Sequence, residues 1–367
     1  MGQVFPGDPA PWFQQRSFAN PRYVFDTAAG RYLVLCLFGS AGNASSAAAI
    51  KAARARADFF NDDRGSFFGV SIDPTDETEK RFADSYPGYR YFWDFDQRVS
   101  RLYGALGENE TYAPRWIVID PSMRVIRNIP FRKDGADIAE LNALLDALPP
   151  PEAFAGPVLQ APIIFLRDIF EQPLCRKLID LYEANGGEES GFMRDVGDKT
   201  VGVHDHRHKS RKDYYIKDDE LIRLVQARVI RRIVPEIEKI HQFKVTRMER
   251  NIIARYSAAE GGHFRAHRDN TTRGTAHRRF AVSINLNDDF EGGEICFPEY
   301  GPRSFKPPAG GAVIFSCSLL HQVSKMTRGS RYAFLPFLYD DAAAKIRDEN
   351  RGFLSQDAPA EKAIAPL

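Results

Sequence analysis

The chain is 367 residues long, carries a formal net charge of +1, and is 43% hydrophobic. That length points to two domains, and the apolar share is enough to fill two cores. A charge so near zero makes no field to gather nucleic acid or an anionic membrane, so neither is an expected partner.

The start, Met1 to Pro11, lacks the charged and apolar blocks of a signal peptide. No apolar run approaches the ~20 residues that a membrane span needs. In chain order, the apolar run Tyr32 to Phe38 reads as a buried strand. A turn rich in Gly, Ser, Ala and Asn follows, and Ala47 to Ala57 has strong helix propensity. Phe67 to Asp73 reads as a second strand and Glu77 to Tyr86 as a second helix. Trp116 to Pro121 and Val125 to Arg127 read as strand, turn and strand. Strands alternating with helices argue an α/β layer fold.

This order, with Gly7-Asp8-Pro9-Ala10-Pro11 ahead of it, resembles a thioredoxin-fold domain of the peroxiredoxin type. The domain is expected to span residues 1–148. Such domains carry a peroxidatic cysteine in the loop after the first core strand, where this chain has Ser45 and Ser46. The family's reaction needs a thiolate, and a serine hydroxyl is a far poorer nucleophile near neutral pH. Arg115 resembles the arginine such domains hold near their thiolate; without one, it is free to pair a carboxylate. The expectation is a redoxin scaffold without redoxin chemistry. Cys36, Cys175, Cys296 and Cys317 are scattered through apolar stretches, so free buried thiols in a reducing cytoplasm are expected.

Residues 149–161 form a proline-rich linker, kept stiff by Pro149, Pro150 and Pro151. The second domain is expected over residues 162–345, with a polar, partly disordered tail over 346–367. Ile163 to Leu166 opens it as a strand. Gln172 to Ala184 is an amphipathic helix, with Leu174, Leu178, Leu181 and Tyr182 on one face. Asp219 to Ile240 is a longer helix that Pro235 kinks or ends early. Between them, Asp198 to Ser210 holds His204, His206 and His208 in a polar setting with Arg and Lys neighbours. A solvated loop or substrate lid is expected there, not a metal site. From Val245 onward short strands dominate, at Met248–Tyr256, Arg279–Leu286, Glu294–Phe297, Gly311–Phe315 and Arg331–Phe337. That punctuation suggests a sandwich or barrel.

The chemistry gathers at His267-Arg268-Asp269. On an extended backbone residues i and i+2 share a face, so His267 and Asp269 present an imidazole and a carboxylate to one point. His321 is the third candidate. Two histidines and a carboxylate on one face suit iron(II), with positions left open for a co-substrate and oxygen. A lone His-x-Asp is a weak signal, but Arg331 beyond His321 and the strand and turn from Asn285 to Glu294 strengthen it.

Together these residues resemble the iron(II)- and 2-oxoglutarate-dependent dioxygenases of the prolyl-4-hydroxylase-like branch, from about Pro162 to Asp340. The resemblance implies a double-stranded β-helix (a jelly roll with supporting helices) with the metal in its mouth. It implies iron(II), 2-oxoglutarate and dioxygen, with ascorbate as a further reductant. It assigns Arg331 to the distal carboxylate of 2-oxoglutarate, since a guanidinium offers parallel donors and stays charged. It also places Tyr256 within reach of the co-substrate, and Asn285 more weakly; for Asn285 a local backbone bond is an equal alternative. Asn270, Thr271, Thr272 and Arg273 line the substrate entrance or form a solvated turn. Gly292-Gly293 serves a turn. His263 is a supporting or surface residue, while His241 and His277 have no assigned partner.

The function expected on this resemblance is hydroxylation of a protein or peptide side chain, prolyl among the candidates. The alternative is oxidation of a free amino acid or natural product. From a different class comes a binding protein whose redoxin half recruits a partner and whose metal site is vestigial. A peroxidase is disfavoured by Ser45 and Ser46.

Overall fold

The computed structural model describes residues 3–107 and 109–354. It divides the chain into two compact units, Met1–Ala161 with Pro298–Pro302, and Pro162–Phe297 with Arg303–Leu367.

In the first unit, β1 (Tyr32–Gly39) and β2 (Gly65–Ser71) are buried at every position. Such unbroken burial is what the near-continuous apolar runs of a parallel sheet require. With β3 (Tyr89–Trp93), β4 (Arg115–Ile119) and β5 (Val125–Pro130) they form one sheet in the order β3-β2-β1-β4-β5. β1, β2 and β3 run parallel, and β4 and β5 pair antiparallel. Helices α1 (Ala44–Arg54), α2 (Pro74–Thr78), α3 (Arg98–Leu102) and α4 (Ala136–Ala147) complete a thioredoxin-like domain.

The helix expected over Glu77 to Tyr86 does not form. It starts earlier, where Asp73 caps the Thr75 N–H and Pro74 presets the first turn, and it stops at Thr78. Lys80 then adopts φ 51°, off the right-handed path.

The strands of the second unit begin with β6 (Ile164–Leu166), β7 (Phe192–Val196), β8 (Lys199–Val203), β9 (Lys209–Ser210) and β10 (Lys212–Tyr215). Then come β11 (Arg247–Glu249), β12 (Ile252–Ser257), β13 (His263–His267), β14 (Phe280–Asn285) and β15 (Ile295–Cys296). The last are β16 (Ser304–Phe305), β17 (Ala312–Ser316), β18 (His321–Val323), β19 (Ser330–Phe334) and β20 (Phe337–Tyr339). The helices are α5 (Gln172–Asn185), α6 (Asp219–Arg232), α7 (Val234–His241) and α8 (Asp341–Asn350).

The larger sheet has the path β11-β20-β14-β19-β12-β10, with β17 also on β14 and β6 on β17. The smaller sheet runs β9-β13-β18-β15-β16. This is the two-sheet jelly roll with helices behind one sheet.

Side-chain alternation decides what each face of the larger sheet does. Ile253 of β12, Phe280, Val282 and Ile284 of β14 and Phe334 of β19 join one core with Leu174, Leu178, Val225, Val229 and Ile237 of the helices. Burying such a side chain stabilises by roughly 1.5–3 kcal/mol, so this face fixes the helices on the sheet. The intervening residues, Tyr256, Ser283, Asn285 and Arg331, must then point the other way.

Three expectations need correction here. The helix from Asp219 to Ile240 is two helices, broken at Ile233 because Pro235 opens α7 and cannot donate to the preceding turn. The stretch from Asp198 to Ser210 is no open loop: β8 pairs with β7 as a hairpin and β9 pairs with β13. The start of the tail is ordered, since Asp340 caps α8 through the Ala343 N–H and the helix continues to Asn350. The remainder of the tail, 355–367, lies outside the described residues. Among the described residues, no helix is long and apolar enough to cross a membrane.

Candidate metal centre

His267 closes β13 and His321 opens β18, and the two are direct partners in the antiparallel register. Strand pairing therefore brings together histidines that are far apart in the chain. Asp269 follows in the turn, its backbone N–H held by the Cys317 carbonyl at 2.9 Å. His267 Nε2 lies 3.5 Å from Asp269 Oδ1, and His321 Nε2 lies 3.3 Å from Oδ2. One donor atom from each residue falls within 4.8 Å of the other two. Ligands at about 2.1 Å from a common ion and near right angles to each other take such spacings.

The protonation pattern fits a cation as well. His267 Nδ1 faces the Arg265 carbonyl at 2.7 Å, and His321 Nδ1 faces that of Leu319 at 3.0 Å. A carbonyl only accepts, so each proton sits on Nδ1 and each Nε2 lone pair is open. Burial presses the His321 imidazole down to about 4, which keeps it neutral. Burial would raise the Asp269 carboxyl, but His321 and His267, with Arg278, outweigh it and hold it well below the usual carboxylate range. A charged carboxylate and open imidazole lone pairs are the donor set of a divalent metal.

Arg331 sits on the opposing sheet and is 2% exposed. Its Nε donates to Asn285 Oδ1 at 2.9 Å, Nη1 to the Gly293 carbonyl at 2.9 Å, and Nη2 to Ser283 Oγ at 2.7 Å. All three acceptors are neutral. Burial pushes its pKa down to about 10, so it is still a cation at neutral pH. A buried charge without a counter-ion costs several kcal/mol, so the niche favours an anion brought from outside. Tyr256 is the cross-strand partner of Arg331, its ring 5.6 Å from the guanidinium, and its hydroxyl accepts from Arg211 Nη1 at 3.3 Å.

Asn285 is spent on positioning, because Oδ1 receives Arg331 and Nδ2 donates to the Pro307 carbonyl at 2.8 Å. Gly292 and Gly293 do form a turn, and it also supplies a carbonyl to Arg331. Thr272 and Thr275 cap the short helical turn Arg273–Thr275. The Arg273 N–H reaches Asp195 at 3.3 Å, and Asn270 Nδ2 reaches Ser318 Oγ at 2.8 Å. These groups serve the turn that follows Asp269. His263 is tied through both ring nitrogens to the Gly261 and Arg207 carbonyls, and His277 to Glu249 at 2.8 Å.

Sequence reading missed the charges of β9 and β10. Lys209 is buried, its Nζ bonded to Ser190 Oγ at 2.7 Å and the Gly191 carbonyl at 2.6 Å. Arg211 pairs with Asp213 at 2.6 Å, both within the protein. The alternation of Lys209, Arg211 and Asp213 on an extended segment was the available signal.

In the first unit, Ser46 is buried and donates to the Phe38 carbonyl at 2.8 Å, while Ser45 is exposed in α1. Cys36 lies inside β1 with no exposure, and burial pushes its thiol well above the ordinary range. Arg115 donates to the Ala113 carbonyl at 3.1 Å, and no ion pair with a carboxylate is found for it among the described residues. No thiolate is on offer at the peroxidatic position.

Residues 252–339 match the family model of the 2OG-Fe(II) oxygenase superfamily, and residues 6–128 match that of the AhpC/TSA family. A PKHD-type hydroxylase from Paracoccus denitrificans is 38% identical over 107 residues, which is 27% of this chain and 45% of that protein. A PKHD-type hydroxylase from Gluconobacter oxydans is 43% identical over 82 residues, 20% of this chain and 36% of that protein. The chain thus spans less than half the length of these curated relatives. Among solved structures, a Trichoplax adhaerens prolyl hydroxylase in complex with a hypoxia inducible factor peptide fragment is 17% identical, covering 51% of this chain and 86% of that one at TM-score 0.40. Mycobacterium tuberculosis AhpC is 19% identical, covering 40% of this chain and 93% of that one at TM-score 0.33.

Proposed function

We propose that the second unit, with its 2OG-Fe(II) oxygenase superfamily segment, is an iron(II)- and 2-oxoglutarate-dependent dioxygenase that hydroxylates an unactivated C–H bond of a protein or peptide side chain. The observation that carries this reading is the pairing of two features on facing sheets. One is the cluster of His267, Asp269 and His321; the other is a buried guanidinium, Arg331, surrounded by neutral acceptors. Iron(II), 2-oxoglutarate and dioxygen together supply the oxidation, releasing succinate and carbon dioxide as one oxygen atom enters the substrate.

The chain's own residues do the rest. Backbone carbonyls hold the proton on each Nδ1, so both imidazoles present Nε2 without rotating. Asn285, Ser283 and Gly293 fix the Arg331 plane and leave its remaining N–H groups for a carboxylate. Tyr256 offers a hydroxyl beside that carboxylate. Phe264, stacked on His267 at 3.5 Å, keeps water from one side of the centre.

His267→Ala is expected to abolish iron(II) binding in anaerobic titration, and with it succinate release; retained affinity would overturn the ligand assignment. Arg331→Ala removes charge-assisted bonds, so 2-oxoglutarate binding is expected to weaken by roughly 10–100-fold with metal binding intact. Comparing succinate release across peptide and small-molecule pools separates the peptide reading from oxidation of a free amino acid or natural product. A chain that binds no iron would instead favour the binding protein.

A further inference from the structure

Three residues stand in one cross-strand row beside the candidate centre. Tyr256 of β12 is the register partner of Arg331 of β19. On the other side of β12, Lys212 pairs with Arg255, which sets the preceding residue, Arg211, beside Tyr256. Arg211 occupies the corner where the chain leaves β9, paired with β13 of the smaller sheet, and enters β10 of the larger one. That corner buries its side chain, which is 6% exposed.

The Arg211 guanidinium is held on one side and aimed on the other. Its Nη2 donates to Asp213 Oδ2 at 2.6 Å and to Ser190 Oγ at 3.1 Å, while Nη1 donates to the Tyr256 hydroxyl at 3.3 Å. Burial would lower its pKa, but Asp213, with Tyr256, outweighs burial and raises it, so the group stays a cation. A guanidinium only donates, so the Tyr256 oxygen is the acceptor in that bond and its own proton points elsewhere. Tyr256 is 2% exposed, and no acceptor for that proton is found among the described residues. The next residue in the row, Arg331, is a donor as well, and its three partners are neutral. A buried phenol proton without an acceptor, next to a buried guanidinium with N–H groups to spare, favours an anion at that spot.

We infer that Arg211 is a positioning residue for the co-substrate, an inference that rests on the dioxygenase reading above. By donating to the Tyr256 oxygen, it commits the phenol to donate in turn, toward the distal carboxylate of 2-oxoglutarate at Arg331. A phenol can either donate or accept, and a donor-only partner removes that choice. The same bond polarises the hydroxyl, which strengthens the bond that its proton makes. Asp213 and Ser190 hold the guanidinium in place for this role. A side chain at position 211 with an acceptor oxygen would capture the phenol proton instead.

The test titrates the full chain, loaded anaerobically with manganese(II), with 2-oxoglutarate and separately with 2-oxobutyrate, which lacks the distal carboxylate. Tyr256→Phe is expected to weaken 2-oxoglutarate binding by about tenfold and to leave 2-oxobutyrate unchanged. Arg211→Lys keeps a donor-only cation and should stay within about threefold of the unmodified chain, whereas Arg211→Gln adds an acceptor and should lose as much as Tyr256→Phe. Because both act through one proton, Arg211→Gln combined with Tyr256→Phe should be no weaker than either alone. Thermal melting and manganese affinity report whether the fold is kept. Should Arg211→Gln melt early, Arg211→Met joined to Asp213→Leu takes its place, since it removes the buried pair together and strands neither charge of that pair.

A role in holding β10 alone would weaken both keto acids alike, and that result would overturn the inference. So would losses from Arg211→Gln and Tyr256→Phe that multiply in the combined variant, or 2-oxoglutarate binding that Tyr256→Phe leaves unchanged. Failure of the dioxygenase reading shows separately: the unmodified chain would then take up neither manganese nor 2-oxoglutarate, and this inference would fall with it.

Discussion

The most informative single residue is Arg331. Its three bonds to Asn285, Ser283 and Gly293 involve no anion, so its charge is oriented but not neutralised. Asn285→Ala should therefore weaken 2-oxoglutarate binding several-fold without touching a metal ligand, measured by titration of the metal-loaded chain. Its counterpart is Asp213, where the environment acts on a carboxylate. Burial alone would raise its pKa, but Arg211, Lys209 and Arg250 outweigh it and bring it from 3.8 to about 2. A depressed folded pKa means stability that is present above the unfolded value and lost as pH falls through the folded one. Acid unfolding should thus steepen between about pH 4 and 2, and Asp213→Asn should flatten that limb when melting is followed against pH.

At the scale of elements, the pairing of β13 with β18 matters most, because it sets His267 against His321. The turn at Gly292 and Gly293 matters next. Gly292 has φ 71°, and a Cβ there would lie 2.2 Å from the Lys325 carbonyl oxygen. Gly292→Ala should lower the melting temperature and, by moving the Gly293 carbonyl, weaken 2-oxoglutarate binding too. Behind the larger sheet, Leu178 of α5 has no exposure. Leu178→Ala should cost about 2–5 kcal/mol in denaturant unfolding. A smaller loss would mean that the helices are held by something other than this core.

At the scale of the whole molecule, the proposed chemistry rests on residues of the second unit alone. The first keeps a thioredoxin-like sheet, yet its peroxidatic position is serine and Cys36 is sealed in β1. Hydrogen peroxide should not be turned over, and Cys36→Ser should change nothing in that assay; peroxide reduction lost in this variant would restore a redoxin reaction.

Much of this was legible beforehand because it depends on local pattern. Apolar runs marked β1 and β2, leucine spacing marked α5, and His-x-Asp with Arg331 marked the candidate site. Polar elements were not legible: β7 and β8 have no apolar alternation strong enough to separate a hairpin from a loop. The helix expected over Glu77 to Tyr86 failed for a related reason. Propensity favours it, but Lys80 leaves the helical path and Arg81 bonds back to Asp76.

Residue type and order alone supplied the candidates: a carboxylate, two imidazoles and a guanidinium in a pattern that resembles a site for a metal and a dicarboxylate. Only the folded sheets decided that His267, Asp269 and His321 meet, since strand register brings distant residues to one point. Burial then decided the rest. It left Arg331 with only neutral partners among the described residues and closed Cys36 off from water.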